Sequence, residues 1–250
     1  MRFALRLLIA PYLAAAAACG HAQTQAAVPP GTPPTKLVVP EIEKYRFNSR
    51  LLADRIYVIG RSDRQIAYAH EPADEACGCY LVEIIVQDLS TGARVWKDGY
   101  DSGEIDRDKP PDPAQLRSLE QVWRVRGAAW EKRIHELGIV REPPRPLQAI
   151  ATAAPSLPRL EISTEEVDRN SPEGYRHLTN YHIDAITATG ATRIATAERP
   201  PESDLLEVRV PGYLEPRGAG PAAVLILEYR RGWEGSPNVF HLRVVGADLH

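Results

Sequence analysis

Cys77-Gly78-Cys79 is the stretch whose residue types could most directly do chemistry. Two sulfurs one residue apart allow a small local disulfide. They could also stay as two thiols, free or joined to a partner, or act as a redox or metal-binding pair. A bridge across so short a spacing closes a strained ring, and strain makes it easier to reduce. Gly78 supplies the backbone freedom such a ring needs. Redox pairs usually read C-x-x-C at a helix start, where the thiolate is stabilised; this pair stands just before a strand. Metal binding would need further soft or imidazole ligands. His70 is close in sequence, His21 lies in a segment expected to be cleaved, and His177 and His182 qualify only if the two halves of the chain fold together.

The other candidate residues read as structural. His177, Tyr181 and His182 cluster in YRHLTNYHI, but histidines five apart face opposite sides of a strand, so surface or half-buried positions are expected. Asp101, Glu104 and Asp106 lack the spacing of a calcium loop and read as a solvated acidic loop. Glu165-Glu166 sits in a polar run. Ser62-Asp63 falls on a turn without a G-x-S-x-G signature or an oxyanion element. There is no G-x-G-x-x-G and no phosphate-binding loop. No catalytic residue, metal ligand or cofactor is therefore assigned. Trp123 and Trp130 could form a ligand platform, although aromatics at helical spacing usually belong to a core.

The amino terminus sets the expected compartment. Arg2 and Arg6 precede the apolar run Leu7 to Ala18, which is too short for a mature membrane span, and Gly20-His21-Ala22 offers small residues for cleavage before Gln23. This reads as a signal peptide over 1–22 and a periplasmic or secreted protein; a buried N-terminal helix is the competing reading. Lipidation at Cys19 is a further possibility, although Ala16 stands where lipoprotein signals usually carry leucine. Removal of Cys19 would leave Cys77 and Cys79 alone in an oxidising compartment. With 30 Lys and Arg against 33 Asp and Glu, the net charge of −3 gives no reason to expect nucleic acid as partner. No second apolar run reaches spanning length, so the mature chain is expected without a membrane span.

The elements that must position these residues are mostly strands. A spacer expected to be disordered covers 23–36, followed by a β-rich half over 37–140, a Pro-rich linker over 141–158 and a second β-rich half over 159–250. Leu37 to Tyr45 reads as a short extended segment interrupted by Pro40, an edge strand or a segment packed across the sheet, with Arg46 to Arg55 as a link. Ile56 to Gly60 and Ile66 to Ala69 flank a polar turn. Tyr80 to Leu89 is apolar enough to be buried on both faces, and Asp88 to Gly92 forms the turn into Arg94-Val95-Trp96. That strand, D-L-x-T-G, strand-with-Trp pattern resembles half a propeller blade, in a single copy. A helix is expected over Pro113 to Leu137, capped by Asp112, with Gln115 in a capping box and Gly138 as its stop. Leu116, Leu119, Trp123, Trp130, Ile134 and Leu137 form its apolar stripe. The second half reads as strands at 159–163, 181–189, 192–198, 205–210, 223–230 and 240–245, with a turn at Thr189-Gly190-Ala191 and AAVLIL as a buried central strand.

Several short motifs together resemble a bacterial family of predicted secreted proteins of unknown function. They are Gly60-Arg61-Ser62-Asp63 with Ala67-Tyr68, then Val86-Gln87-Asp88-Leu89, Leu137-Gly138-Ile139, and Gly232-Trp233-Glu234-Gly235. Arg61 stands where the family carries an aromatic residue. The resemblance implies a periplasmic location and no assigned activity. The expected fold is mainly β (α+β), antiparallel meanders with one long amphipathic helix packed on the sheet. The expected role is a secreted or periplasmic, non-catalytic binding or interaction protein whose partner is an envelope protein or a small ligand. The rival is a thiol- or metal-dependent envelope protein using Cys77 and Cys79.

Overall fold

The computed structural model describes residues 28–44, 51–73, 79–103, 114–150, 158–168, 176–198, 204–232 and 238–250. The elements in chain order are α1 (Pro40–Glu43), β1 (Leu51–Ala53), β2 (Arg55–Arg61), β3 (Gln65–Glu71), β4 (Leu81–Asp88), β5 (Arg94–Asp101), α2 (Leu119–Glu136), β6 (Val140–Arg141), β7 (Arg159–Asp168), β8 (Arg176–Thr187), β9 (Gly190–Glu198), β10 (Leu205–Leu214), β11 (Ala222–Arg230) and β12 (Asn238–Ala247). Among the described residues the structure is mainly β, 53% strand and 13% helical. Three sheets form among the described residues, ordered β5-β4-β3-β2-β6, β1-β12-β11-β10 and β7-β8-β9. Every pairing is antiparallel except the parallel pair of β1 with β12.

The layering follows from side-chain alternation along the strands. In β11, Ala223, Leu225 and Leu227 pack toward the first sheet, against Ile66, Tyr68, Ile85 and Leu89. Their neighbours Ala222, Val224 and Ile226 pack the other way, against Leu160, Tyr181, Ile183 and Ala185 of the third sheet. The apolar run AAVLIL is thus a central strand buried on both faces, as its lack of polar alternation requires. β4 does the same one layer out: Ile85 faces the second sheet, while Val82, Ile84 and Val86 face α2. The order of layers is helix, first sheet, second sheet, third sheet.

The helix is shorter than expected and starts later. It spans 18 residues from Leu119, not from Pro113; Asp112 and Pro113 lie outside the described residues, and Gln115 precedes the helix. Ser118 is the N-cap, its hydroxyl accepting from Gln121 N–H at 3.3 Å, while Gln121 Oε1 accepts from Arg117 N–H at 2.6 Å. Ser118 and Gln121 therefore supply the capping pair that had been placed at Asp112 and Gln115, because a serine hydroxyl three residues ahead of a glutamine satisfies both orphan ends. The expected stop holds. Gly138 sits at φ +76°, its N–H bonds the His135 carbonyl at 2.9 Å, and Ile139 N–H bonds the Ile134 carbonyl at 3.2 Å. Trp123 and Trp130 are buried against Ala67, Ala69, Val82 and Ile84, with ring centroids 5.7 Å apart, so they belong to the core.

Other expectations shift as well. The segment from Leu37 packs across the first sheet and forms no edge strand: Leu37 and Val39 join the core, Leu37 N–H bonds the Ile56 carbonyl at 2.7 Å, and Pro40 then starts the one-turn α1, proline being suited to a first helical position. Residues 28–36, expected as a spacer, run past α2, where Gly31 N–H donates to Glu131 at 3.1 Å. The link before Ile56 contains β1, which the sequence reading missed. The hairpin between β8 and β9 turns over Ala188-Thr189 and pairs Thr187 with Gly190, one residue earlier than expected.

Gly127 generates a testable prediction. A Cβ there would meet the Trp123 indole at 2.7 Å. Alanine would gain about 1 kcal/mol of helix propensity, but overpacking a buried ring costs about 1–3 kcal/mol. Gly127→Ala should therefore lower the midpoint of urea unfolding, an unusual direction for glycine to alanine inside a helix.

Candidate functional site

The chain changes sheets at a single residue. Asp54 lies between β1 of the second sheet and β2 of the first, and it is 4% exposed. Its carboxylate is almost fully subscribed. Oδ1 accepts from Ala73 N–H at 2.8 Å and lies 3.4 Å from His241 Nδ1; Oδ2 accepts from Leu242 N–H at 2.9 Å and lies 3.0 Å from His70 Nε2. Burial alone would raise its pKa. The hydrogen bonds from His241 and His70, the His70 charge and the Leu242 N–H outweigh burial and hold it well below the usual carboxylate value. A carboxylate beside imidazole is the geometry that orients a general base. Here both oxygens are committed to two histidines and two backbone amides, which makes Asp54 a strut between sheets.

Two further buried carboxylates pin neighbouring seams. Glu71 accepts from Tyr57 OH at 2.8 Å, from Arg55 at 3.2 Å and from Tyr80 OH. Burial first, then the Glu71 carboxylate, raise both tyrosine hydroxyls above their ordinary range. Glu228, fully buried at the end of the apolar part of β11, accepts from Tyr181 OH at 2.6 Å and from both Arg230 and Arg243. On the far side, Arg61 pairs with Glu142 at 2.9 Å, and Arg217 reaches the Arg61 carbonyl at 2.7 Å.

Between the first sheet and the outer edge of β12 lies a cavity of about 730 Å³. Tyr68, His70 and Gln87 form one wall, Leu242 to Asp248 of β12 another, and β9 the rim. The space exists because β1 covers β12 only as far as Phe240. Beyond that point side chains serve the strand edge: Asp54 takes Leu242 N–H, and Gln87 Nε2 donates to the Val244 carbonyl at 3.0 Å. Tyr68 OH donates to Gln87 Oε1 at 3.1 Å, and burial pushes the phenol up to about 12. At Gly246 the sheets close together; a Cβ there would sit 1.6 Å from the Leu89 carbonyl oxygen.

The residues singled out from sequence scatter. Cys79 stands just before β4; Cys77, Gly78 and Cys19 lie outside the described residues. His177 and Tyr181 are buried, beyond the surface or half-buried positions expected, and Tyr181 faces the layer between the second and third sheets; His182 is half-buried, 3.7 Å from Asp184. Ser62 Oγ accepts from Gln65 N–H at 3.0 Å and caps its turn. Asp101 accepts from Gly103 N–H at 2.8 Å; Glu104 and Asp106 lie outside the described residues. Glu165 and Glu166 are exposed on β7. Among the described residues no group of three or more His, Cys, Asp or Glu is placed to hold a metal ion, and no helix is long and apolar enough to cross a membrane. Of the residues weighed from sequence as candidates for chemistry, only His70 lines the cavity. Asp54, Gln87 and Glu228 were not among those candidates, although Gln87 and Glu228 carried a signal: each is a polar residue directly following a run apolar on both faces.

No family model, no curated protein and no solved structure matches the chain.

Removing the Asp54 charge tests the strut. Asp54→Asn should cost about 2–3 kcal/mol at neutral pH, since hydrogen bonds to a buried charged group contribute about 1.5–3 kcal/mol. The folded pKa is depressed, so the stabilisation is complete above the unfolded value of about 4 and is lost as pH falls toward the folded value. Denaturant unfolding of wild type and variant at several pH values should show a constant gap above about pH 5 that narrows in acid.

Proposed function

We propose that the protein is an exported, non-catalytic binding module that holds a small molecule in the cavity beside β12. One observation carries the reading. The cavity, about 730 Å³, lies in the range of about 300–1,000 Å³ typical of ligand sites. It is also walled by a preformed frame, with Tyr68, Gln87 and the Val244 carbonyl linked in one hydrogen-bonded chain. Export is supported by Arg2, Arg6, the apolar run to Ala18 and the small residues before Gln23, and by the resemblance to secreted proteins of unknown function. Attachment through a lipid on Cys19 is the variant of the same location.

The test is recovery of a bound molecule. Native mass spectrometry of the protein isolated from the periplasm should show a bound mass that is lost on denaturation. Thr192, exposed on the rim strand, can be replaced without touching the core. Thr192→Trp should abolish the bound mass while leaving thermal unfolding unchanged. A wild-type protein that neither carries nor takes up any small molecule would overturn the reading.

We propose a disulfide at Cys79, a structural bridge in place of thiol- or metal-dependent chemistry. We assign its partner as Cys77, the remaining cysteine if Cys19 leaves with the signal. Alkylation of the denatured, unreduced protein should leave both cysteines unmodified, and reduction should expose both. Labelling of both without reductant would revive the thiol reading.

A further inference from the structure

We infer that the cavity takes an organic anion, an apolar body carrying a carboxylate or a phosphate. This rests on the cavity being a binding site, and it names what the site selects.

The charge of the lining opposes that of the chain. The protein carries a net −3, yet Arg94, Arg193 and Arg243 line the cavity, and Asp248 is the one carboxylate among the described lining residues. The cationic character is therefore local and not a consequence of composition. The arginines differ in how far they are already neutralised. Arg193 is held by Asp184, with Nε to Oδ1 at 2.7 Å and Nη2 to Oδ2 at 3.3 Å. Arg243 reaches the Tyr181 hydroxyl at 2.5 Å and Glu228 at 3.2 Å, but Glu228 also binds Arg230. A single buried carboxylate faces two guanidinium groups, so this cluster retains about one unit of positive charge by simple counting. Arg94 makes no ion pair among the described residues. Asp248, the lone acid, accepts from the His250 N–H at 3.1 Å.

Geometry adds to charge. Arg243 is held through Nη1 by the Tyr181 hydroxyl and by a fully buried glutamate, so the guanidinium is anchored before a ligand arrives. A guanidinium held in this way loses little entropy on binding a planar carboxylate or a phosphate. Ile85, Leu89 and Val244 provide apolar surface in the same cavity. The volume far exceeds that of a bare inorganic ion, and this combination fits a charged head with an apolar body.

The experiment titrates the full exported protein with three probes that share one ring: benzoate, phenyl phosphate and phenyltrimethylammonium, followed by calorimetry at low and high salt. Both anions, or one of them, should bind, the cation should not, and added salt should weaken binding. Binding of benzoate alone points to a carboxylate ligand, and of phenyl phosphate alone to a phosphate ligand. Arg94→Gln, which alters an exposed side chain without an ion partner, should weaken anion binding about tenfold or more with unfolding unchanged. Equal binding of anion and cation, or an affinity indifferent to salt and to Arg94→Gln, would overturn the anion assignment and leave the cavity a binding site. Failure of all three probes, together with the absence of any co-purified mass, would overturn both readings. A co-purified neutral or cationic molecule would overturn the anion assignment alone.

Discussion

Asp54 is the point on which the two halves of the chain depend. One residue separates a strand of the second sheet from a strand of the first. A chain that passes between packed sheets leaves strand-edge amides without a partner, and buried amides must be satisfied. A carboxylate can accept several N–H groups at once, so it closes the gap where no strand can continue. The Asp54 oxygens take Ala73 on the first sheet's side and Leu242 on β12, while its own N–H bonds the Phe240 carbonyl at 2.8 Å. The negative charge survives burial because His70 and His241 stand on either side. Sheet crossing, charge and register are thus fixed together.

The cavity is the counterpart of that crossing. β1 is three residues long and pairs with β12 only from Asn238 to Phe240. The remaining edge of β12 faces the first sheet with its polar groups served by side chains instead of a ladder. A longer β1 laid there would have filled the space; a glutamine and an aspartate leave it open. The same economy appears at the opposite seam, where Arg61, Glu142 and Arg217 clamp the first sheet to the end of β10. Polar struts hold these sheets apart at some edges, while AAVLIL draws them together at the centre.

The short motifs around Gly60, Asp88 and Gly138 have structural work in this fold. Gly60 passes so close to the Val140 carbonyl that a Cβ would approach to 2.3 Å, and Ser62 caps the turn that follows. Gly138 closes the helix in a left-handed conformation, and Ile139 then packs back into the core beneath it. Asp88 Oδ1 accepts from Ser90 and Thr91 N–H at 2.8 and 2.9 Å and shapes the turn into β5. Such residues report how the chain turns. They carry no information on a ligand.

Local chemistry settled much of the architecture. The two-face burial of β4 and β11, the turn at Asp88, the helix stop at Gly138 and the core placement of both tryptophans are all legible in residue order, because each depends on neighbours within a few positions. The helix start was misplaced by the same logic: Asp112-Pro113 and Ser118 both offer acceptable caps, and packing selected the second. The cavity was not legible at all. Arg94, Arg193 and Arg243 come from three strands in three sheets, and Asp54 meets His241 from the opposite end of the chain. Nothing in their spacing announces a site, since an exposed arginine on a strand looks the same whether it faces solvent or a pocket. Of Cys77-Gly78-Cys79, the most conspicuous stretch in the sequence, Cys79 is the residue described; it stands just before β4 and is not among the residues that line the cavity. Sequence determined which strands had to be buried; only the packing of three sheets, and the short reach of β1 along β12, decided where a space and its charge would be left.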